Sequence, residues 1–407
     1  MWGRKLVLGF IVAVFSLLLL SLFLVPSVLS PQAASCKDNR PVIYLLYASS
    51  GSVSQLLNTN QIDSFIIWEP VVANAELSGI GKRIAVPSDL PPPGKWADAA
   101  SCVFVLRNDI INDYPDVSGL LSALTTAAVN RTNEDPKSAI RITSDWVFGK
   151  NPVLTPGGLL EPLDVENRSF ENMEFTSSAK PPLSGLVSSL IDPDGKGSYN
   201  PGDMMNPAVT VRGEQFLNGS AVPEISGDVP ELNIGYLPSS DNFAPVYVMI
   251  RDFQYFCGRY GFCLLPDNAG SSRPVYCTLL AGNDSVARVN FIPGQSGGGI
   301  MTTVGQRALD GAYVGSIPAE MQIALGNPSV IIQSINTGGT GIVVDNEAPC
   351  DDWESFIGWV KLRSDEGCPV IIATVQSSIQ EDTIREALAY ENILVKLYGT
   401  NNEISYP

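Results

Sequence analysis

The segment with the clearest chemical capacity is Pro293-Gly-Gln-Ser-Gly-Gly-Gly-Ile-Met-Thr-Thr. Three consecutive glycines let backbone approach a ligand closely. The apolar stretch after them, Ile300 to Ala308, reads as a helix whose first N–H groups lack intrahelical partners. Such a helix start suits an oxyanion or a carboxylate, and Gln295, Ser296, Gly297 and Gly298 are its candidate contacts. The segment carries neither the Gly-Lys-Ser/Thr of a phosphate-binding loop nor the dinucleotide fingerprint, so a structural turn explains the bare motif equally well. Thr374-Val-Gln-Ser-Ser-Ile-Gln-Glu repeats the arrangement. A buried strand ends, Gln376, Ser377 and Ser378 follow, and a helix begins with Glu381 spaced for a reciprocal cap with Ser378. A plain capped helix is the competing account. Tyr236-Leu-Pro-Ser-Ser-Asp-Asn-Phe-Ala-Pro sets Ser239, Asp241 and Asn242 after another strand. Trp68-Glu69-Pro70, Gly315-Ser316-Ile-Pro and Thr337-Gly-Gly-Thr340-Gly are further strand ends. Open α/β sheets bind ligands at the carboxyl ends of their strands, so these polar loops together read as one cleft.

Catalysis finds little support. The chain has no histidine, which removes Ser-His-Asp and Cys-His chemistry and imidazole zinc sites. Glu69, Asp241 and Glu320 stand alone, each more simply a solvated or ligand-orienting carboxylate than a general acid or base. No cofactor or metal is expected. Asp192, Asp194, Gly197, Ser198, Asn200 and Asp203 fall at calcium-loop positions, but Lys196 stands where an oxygen ligand belongs and no helix pattern flanks them. A polar turn is the better reading. With 25 Lys plus Arg against 42 Asp plus Glu, the net charge of −17 repels nucleic acid.

These loops need elements to hold them. At 407 residues, 45% hydrophobic and 16% charged, the chain has ample material for a core. Its 30 prolines and 36 glycines point to short elements and many turns. Residues 37–150 begin with the apolar runs Val42-Ile-Tyr-Leu-Leu-Tyr and Ser64-Phe-Ile-Ile-Trp, strands buried on both faces. Helices are expected over Ser52 to Asn60, from Leu120 with Ser118 as cap, and over Pro136 to Val147. Residues 151–230, rich in Pro, Gly, Ser and Asn, read as a linker or irregular excursion. Residues 231–407 resume with the strand Leu232-Asn-Ile-Gly-Tyr-Leu and a helix from Ala244 to Tyr255. Strands near Val289–Ile292, Ala312–Gly315, Val330–Gln333, Gly341–Val344 and Val370–Val375 follow, with helices over Ser355–Arg363 and Ile379–Tyr390. The alternation argues α/β.

Residues 1–30 hold an uncharged, almost wholly apolar stretch from Leu6 to Val25, preceded by Arg4 and Lys5. It matches a bilayer-spanning helix with the N-terminus cytoplasmic and the body outside. The small residues of Ser-Val-Leu-Ser-Pro-Gln-Ala-Ala-Ser also allow a cleaved signal peptide, and Cys36 a lipid attachment. All three put the body outside the cytoplasm. Asn-x-Ser/Thr triplets at Asn130, Asn167, Asn218 and Asn283 agree with that compartment. The seven cysteines include no CxxC, so disulfides or buried thiols are expected; Cys257 and Cys263 are spaced to close a small loop, and the connectivity stays open.

On these residues the chain resembles the ABC-transporter solute-binding proteins of the nitrate/sulfonate/taurine type. Gly235-Tyr-Leu-Pro-Ser-Ser-Asp-Asn-Phe-Ala-Pro, Leu309-Asp-Gly-Ala-Tyr-Val-Gly-Ser-Ile-Pro, Ile342-Val-Val and Ile372-Ala-Thr-Val-Gln-Ser-Ser match the family's N-terminal half. Gln55-Leu-Leu-Asn-Thr-Asn-Gln-Ile-Asp-Ser-Phe-Ile-Ile-Trp-Glu-Pro, Val103-Phe-Val-Leu-Arg-Asn-Asp, Tyr114-Pro-Asp-Val and Glu134-Asp-Pro match its C-terminal half. The halves stand in reverse order, as in a circular permutation, with 151–230 joining the ordinary termini; a fragment of a tandem protein or an intermolecular swap would look the same. The resemblance implies a two-lobed, hinged α/β fold of the periplasmic-binding-protein type II kind, preceded by one transmembrane helix. One lobe would take about 80–150 plus 231–345, the other about 351–407 plus 41–75. It also implies a small oxyanion or organic acid as ligand, a thiamine-pyrimidine precursor as the alternative, and ABC permease and ATPase subunits as partners. A membrane-anchored sensor or structural module without transport remains the rival reading, and an enzyme on this scaffold a weaker one.

Overall fold

Both apolar runs become interior strands, β1 (Val42–Tyr47) and β2 (Ser64–Trp68), each between two strand neighbours; β2 is buried on both faces, whereas β1 buries only the face of Ile43 and Leu45, its other side being half-exposed. The computed structural model describes residues 39–192, 199–224, 229–400, 402–404 and 406. The span Leu6 to Val25, Cys36 and most of the calcium-like loop lie outside the described residues. Among those described, no helix is long and apolar enough to cross a membrane.

After β1 and β2, with α1 (Val53–Asn58) between them, come α2 (Val71–Leu77), β3 (Gly81–Ala85), β4 (Ala100–Arg107), α3 (Asn108–Asp113), α4 (Pro115–Glu134) and α5 (Pro136–Val147). The middle of the chain holds the hairpin β5 (Val153–Thr155) and β6 (Gly158–Leu160), then α6 (Pro162–Phe170), β7 (Met173–Phe175), α7 (Gly185–Ile191) and α8 (Pro207–Leu217). Next are β8 (Glu231–Tyr236), α9 (Ala244–Arg251), α10 (Phe253–Tyr260), β9 (Phe262–Pro266), β10 (Tyr276–Ala281), β11 (Asp284–Pro293), α11 (Gly297–Gly305) and β12 (Gly311–Gly315). The chain closes with α12 (Ser316–Ala324), β13 (Ser329–Gly338), β14 (Thr340–Asp345), α13 (Trp353–Asp365), β15 (Ile371–Thr374), α14 (Ile379–Tyr390) and β16 (Leu394–Leu397).

Two sheets organise these elements into an α/β structure of two lobes. The larger has strand order β7-β13-β4-β12-β8-β11-β10-β9, the smaller β16-β1-β15-β2-β14-β3. The larger lobe uses a continuous stretch, 100–338, while the smaller combines 41–85 with 340–407. The chain therefore passes between lobes twice, through 86–99 and at Gly338-Gly339, both of which take positive φ. The first strand after each passage enters its new sheet antiparallel to both neighbours: β4 between β12 and β13, β14 between β2 and β3. The two sheets thus share one plan.

Several expectations change here. β3 and β14 pair with each other in the smaller sheet, not in the lobe of 80–150 plus 231–345, because the chain reverses at Gly338-Gly339, ahead of β14. Residues 151–230 are no linker. Val165, Phe175, Val209 and Phe216 are buried, the last three within the core under one face of the larger sheet; Val187, Tyr199 and Met204 fill the other face. Their apolar residues come singly or in pairs among Pro, Gly, Ser and Asn, so no long apolar run announces them. Helix α4 starts at Pro115, whose ring presets the first helical φ, and Ser118 lies buried inside it. The helix expected over 244–255 divides at Asp252 into α9 and α10. Cys257 and Cys263 form a disulfide; Cys102, Cys277 and Cys350 are buried thiols and Cys368 is exposed.

Gly311 begins the central strand β12 where no side chain fits. A Cβ there would lie 2.5 Å from the Val105 carbonyl oxygen and 2.7 Å from Leu106 Cδ2. Gly311→Ala is expected to cost about 1–3 kcal/mol through overpacking. Denaturant titration of residues 41–407 checks this, and an unchanged midpoint would refute it.

Candidate functional site

Strand direction sets the site. The C-terminal ends of β2 and β15 in the smaller lobe face those of β8, β11 and β12 in the larger, and each is followed by a turn or directly by a helix. The loops close around a cavity of about 50 Å³. Trp68, Asn242, Ser296, Gly297, Gly298, Gln376, Ser377 and Ser378 all line it. So do Ser101 and Cys102 at the start of β4, Ser240, and Gln380 in the first turn of α14, which sequence reasoning missed. Among the described residues, no charged side chain is in the lining.

Helix starts supply the polarity. Ser296 caps α11, its Oγ accepting from Gly299 N at 3.2 Å, and Ser378 caps α14 by accepting from Glu381 N at 3.2 Å. Helix α12 begins directly after Gly315, and a 3-10 turn, Asp241–Phe243, leads into α9. All four starts contribute residues to the cavity wall. Ser377 adopts φ 56°, a left-handed conformation that a serine takes only when its surroundings enforce it. Its N–H donates to Glu381 Oε2 at 2.6 Å. The return half of the expected capping box thus reaches Ser377, not Ser378, because the left-handed residue turns its own N–H toward Glu381. That carboxylate also accepts from the Tyr47 hydroxyl at 2.7 Å and from Arg385 Nη1 at 3.0 Å.

The remaining candidates lie off the cavity. Ser239 is exposed, and its neighbour Ser240 takes the place in the wall. Gln295 is exposed on a groove across the turn, beside Ile292 and Ile300. Ser316 is buried without a hydrogen-bond partner among the described residues. Thr340 is buried, its Oγ1 accepting from Gln380 Nε2 at 2.7 Å, and so fixes the wall from behind.

Asp241 and Glu69 are fully buried. Glu69 accepts from Ala73 N at 2.9 Å and Asn172 Nδ2 at 3.3 Å and pairs with Arg83 at 3.1 Å, yet burial outweighs these and raises its pKa to about 7. Asp241 lies beside Ser169 and Glu166 of α6, although neither of its oxygens has a hydrogen-bond partner among the described residues. Burial first, and the nearby Glu69 charge, raise it to about 8. Glu166 is pushed well above the carboxylate range by burial and then by Asp241. Burial thus favours the protonated forms of Asp241 and Glu166 near neutral pH, which keeps negative charge away from Ser240 and Asn242, the wall residues on either side of Asp241. Sequence offered no signal for Glu166, which lies in the stretch read as irregular. Among the described residues no three His, Cys, Asp or Glu side chains are grouped to hold a metal ion. With neutral walls and several helix starts, the arrangement can desolvate and hold a small polar or anionic solute. The chain matches no protein-family model, no curated protein and no solved structure.

Proposed function

We propose that this protein is the extracytoplasmic solute-binding component of an ABC importer, capturing a small oxyanion or organic acid between its lobes and delivering it to a permease and its ATPase. In this reading the fold is of the periplasmic-binding-protein type II kind in permuted order, and the apolar N-terminal span holds the body at the outer membrane face. The observation that carries it is the gathering of four helix starts on one interlobe cavity with no charged side chain among the described residues of its wall. Each helix start concentrates partial positive charge and unpaired N–H groups, so the wall favours an anion without a basic residue. The cavity has room for a few non-hydrogen atoms, the size of nitrate, bicarbonate or a sulfonate head. The permuted order draws support from β16 and β1, the last and first strands described, which pair in parallel as neighbours.

A thermal-shift screen on residues 41–407, which pack as one compact unit, tests the reading with nitrate, bicarbonate, taurine, alkanesulfonates and pyrimidine precursors. A ligand at a hundred times its Kd adds about 2.7 kcal/mol to folded-state stability and must raise Tm. A cooperative melt that ignores every compound would turn the reading toward a sensor or structural module.

A further inference from the structure

The stretch from Glu161 to Asp192 belongs to the larger lobe through Phe175 and Val187 of its cores, yet it grips the smaller lobe on both flanks of the cavity. On one flank Arg168 of α6 makes a two-point pair with Glu76 of α2, Nη2 to Oε1 at 2.8 Å and Nε to Oε2 at 3.1 Å. Asn172 Nδ2 donates to the Thr340 carbonyl at 3.0 Å, and Gly339 N donates to the Asn172 carbonyl at 2.7 Å, across the second interlobe passage. On the other flank Gly185 N, at the start of α7, donates to the Tyr406 hydroxyl at 3.0 Å. That hydroxyl donates to Asp382 Oδ1 of α14 at 3.0 Å. Tyr199 ties this flank back to the larger lobe, accepting from Ser184 N at 2.8 Å and donating to Glu320 Oε2 of α12 at 2.7 Å. Helices α2 and α14 pack in separate cores on opposite faces of the smaller sheet. The stretch therefore holds that sheet from two sides.

A cleft whose lobes met only through 86–99 and Gly338-Gly339 would swing about those two passages. Here the added contacts resist that swing. We propose that residues 161–192 form a strap that locks the lobes over the cavity, so that solute exchange requires release of the strap from the smaller lobe. Each grip is a few polar contacts, some at the protein surface, so release is a local opening and not an unfolding.

Hydrogen–deuterium exchange on residues 41–407 tests this without any ligand. Two variants are compared with the parent: Arg168→Ala on one flank and Tyr406→Phe on the other, the latter removing a single oxygen and so sparing the fold. The expected result is slow exchange in the parent at the cavity segments 296–300 and 377–381, rising about tenfold or more in each variant, although neither residue lines the cavity. The core strands β4 and β12 should stay slow. The strap is overturned if the parent's cavity segments already exchange as fast as surface loops, or if the rise stays confined to α6 or α7. It is overturned equally if β4 and β12 speed up by the same factor, which marks general destabilisation.

Discussion

Leucine at position 298 is expected to abolish ligand binding while leaving the fold intact. Gly298 lines the cavity, and a Cβ built on it meets no atom of the described residues within 4 Å, so the first carbon of a side chain enters open space. Four carbons there compete with a ligand for about 50 Å³ and cover the N–H groups at the start of α11. Loss of affinity by a factor of about 100 or more follows, roughly 2.7 kcal/mol. Stability should hold or rise slightly, because leucine is a better helix former than glycine by about 0.8 kcal/mol. Gly297→Leu is the contrast. Its Cβ would fall 2.9 Å from Pro318 Cγ in α12, so that variant must move a helix and should lose both binding and several degrees of Tm. Calorimetric titration with whichever compound the screen identifies, beside thermal melts, separates the two. If Gly298→Leu binds like the parent, the interlobe cavity is not where the solute sits.

That Gly298 was legible in the sequence, while Ser101 and Cys102 were not, has a physical cause. Residues that follow a buried apolar run and precede a helix start announce a strand's C-terminal end, which is how Ser296 to Gly298 and Gln376 to Ser378 stood out. Ser101 and Cys102 open β4, a strand that reaches the cavity only because it enters its sheet antiparallel after a passage between lobes. Direction within a sheet leaves no trace in an apolar run. The pair Ser239-Ser240 shows the same limit on a smaller scale. Either serine satisfies a turn, and only the backbone's course puts Ser240 in the wall and Ser239 in solvent. Helices whose apolar face recurs in register, such as α5 and α14, start and end where the periodicity puts them. The strap's buried apolar residues Phe175 and Val187 belong to cores on opposite faces of the larger sheet, partners that local sequence does not encode.

Stability is expected to fall as pH rises from about 5 to 9, because the largest buried acids are held in their neutral form. Asp241 is raised to about 8, Glu320 to about 8, Glu69 to about 7 and Asp382 to about 6, with burial the leading cause in each. A carboxyl whose folded pKa exceeds its unfolded value binds more protons in the native state across the interval between the two. The stability slope with pH is negative there, zero below the unfolded value, and levels off above the folded one. A tenfold difference in proton affinity between the folded and unfolded states corresponds to about 1.4 kcal/mol. Relaxation with water entry returns most of the sum, so a net loss of about 4 kcal/mol is expected. For a chain of this size that is a fall in Tm of about 5 °C. Asp241→Asn and Glu320→Gln keep the shape of the neutral acid and cannot ionise. Each should raise Tm at pH 9, leave it nearly unchanged at pH 5, and flatten the profile. A parent profile that is level or rising across this range would mean these carboxylates are charged and compensated in the fold. Affinity for an anion should follow the same curve, since ionising Asp241 puts a negative charge between Ser240 and Asn242, two residues of the cavity wall. Asp241→Asn should then extend binding to higher pH, a gain that lost stability alone would not produce.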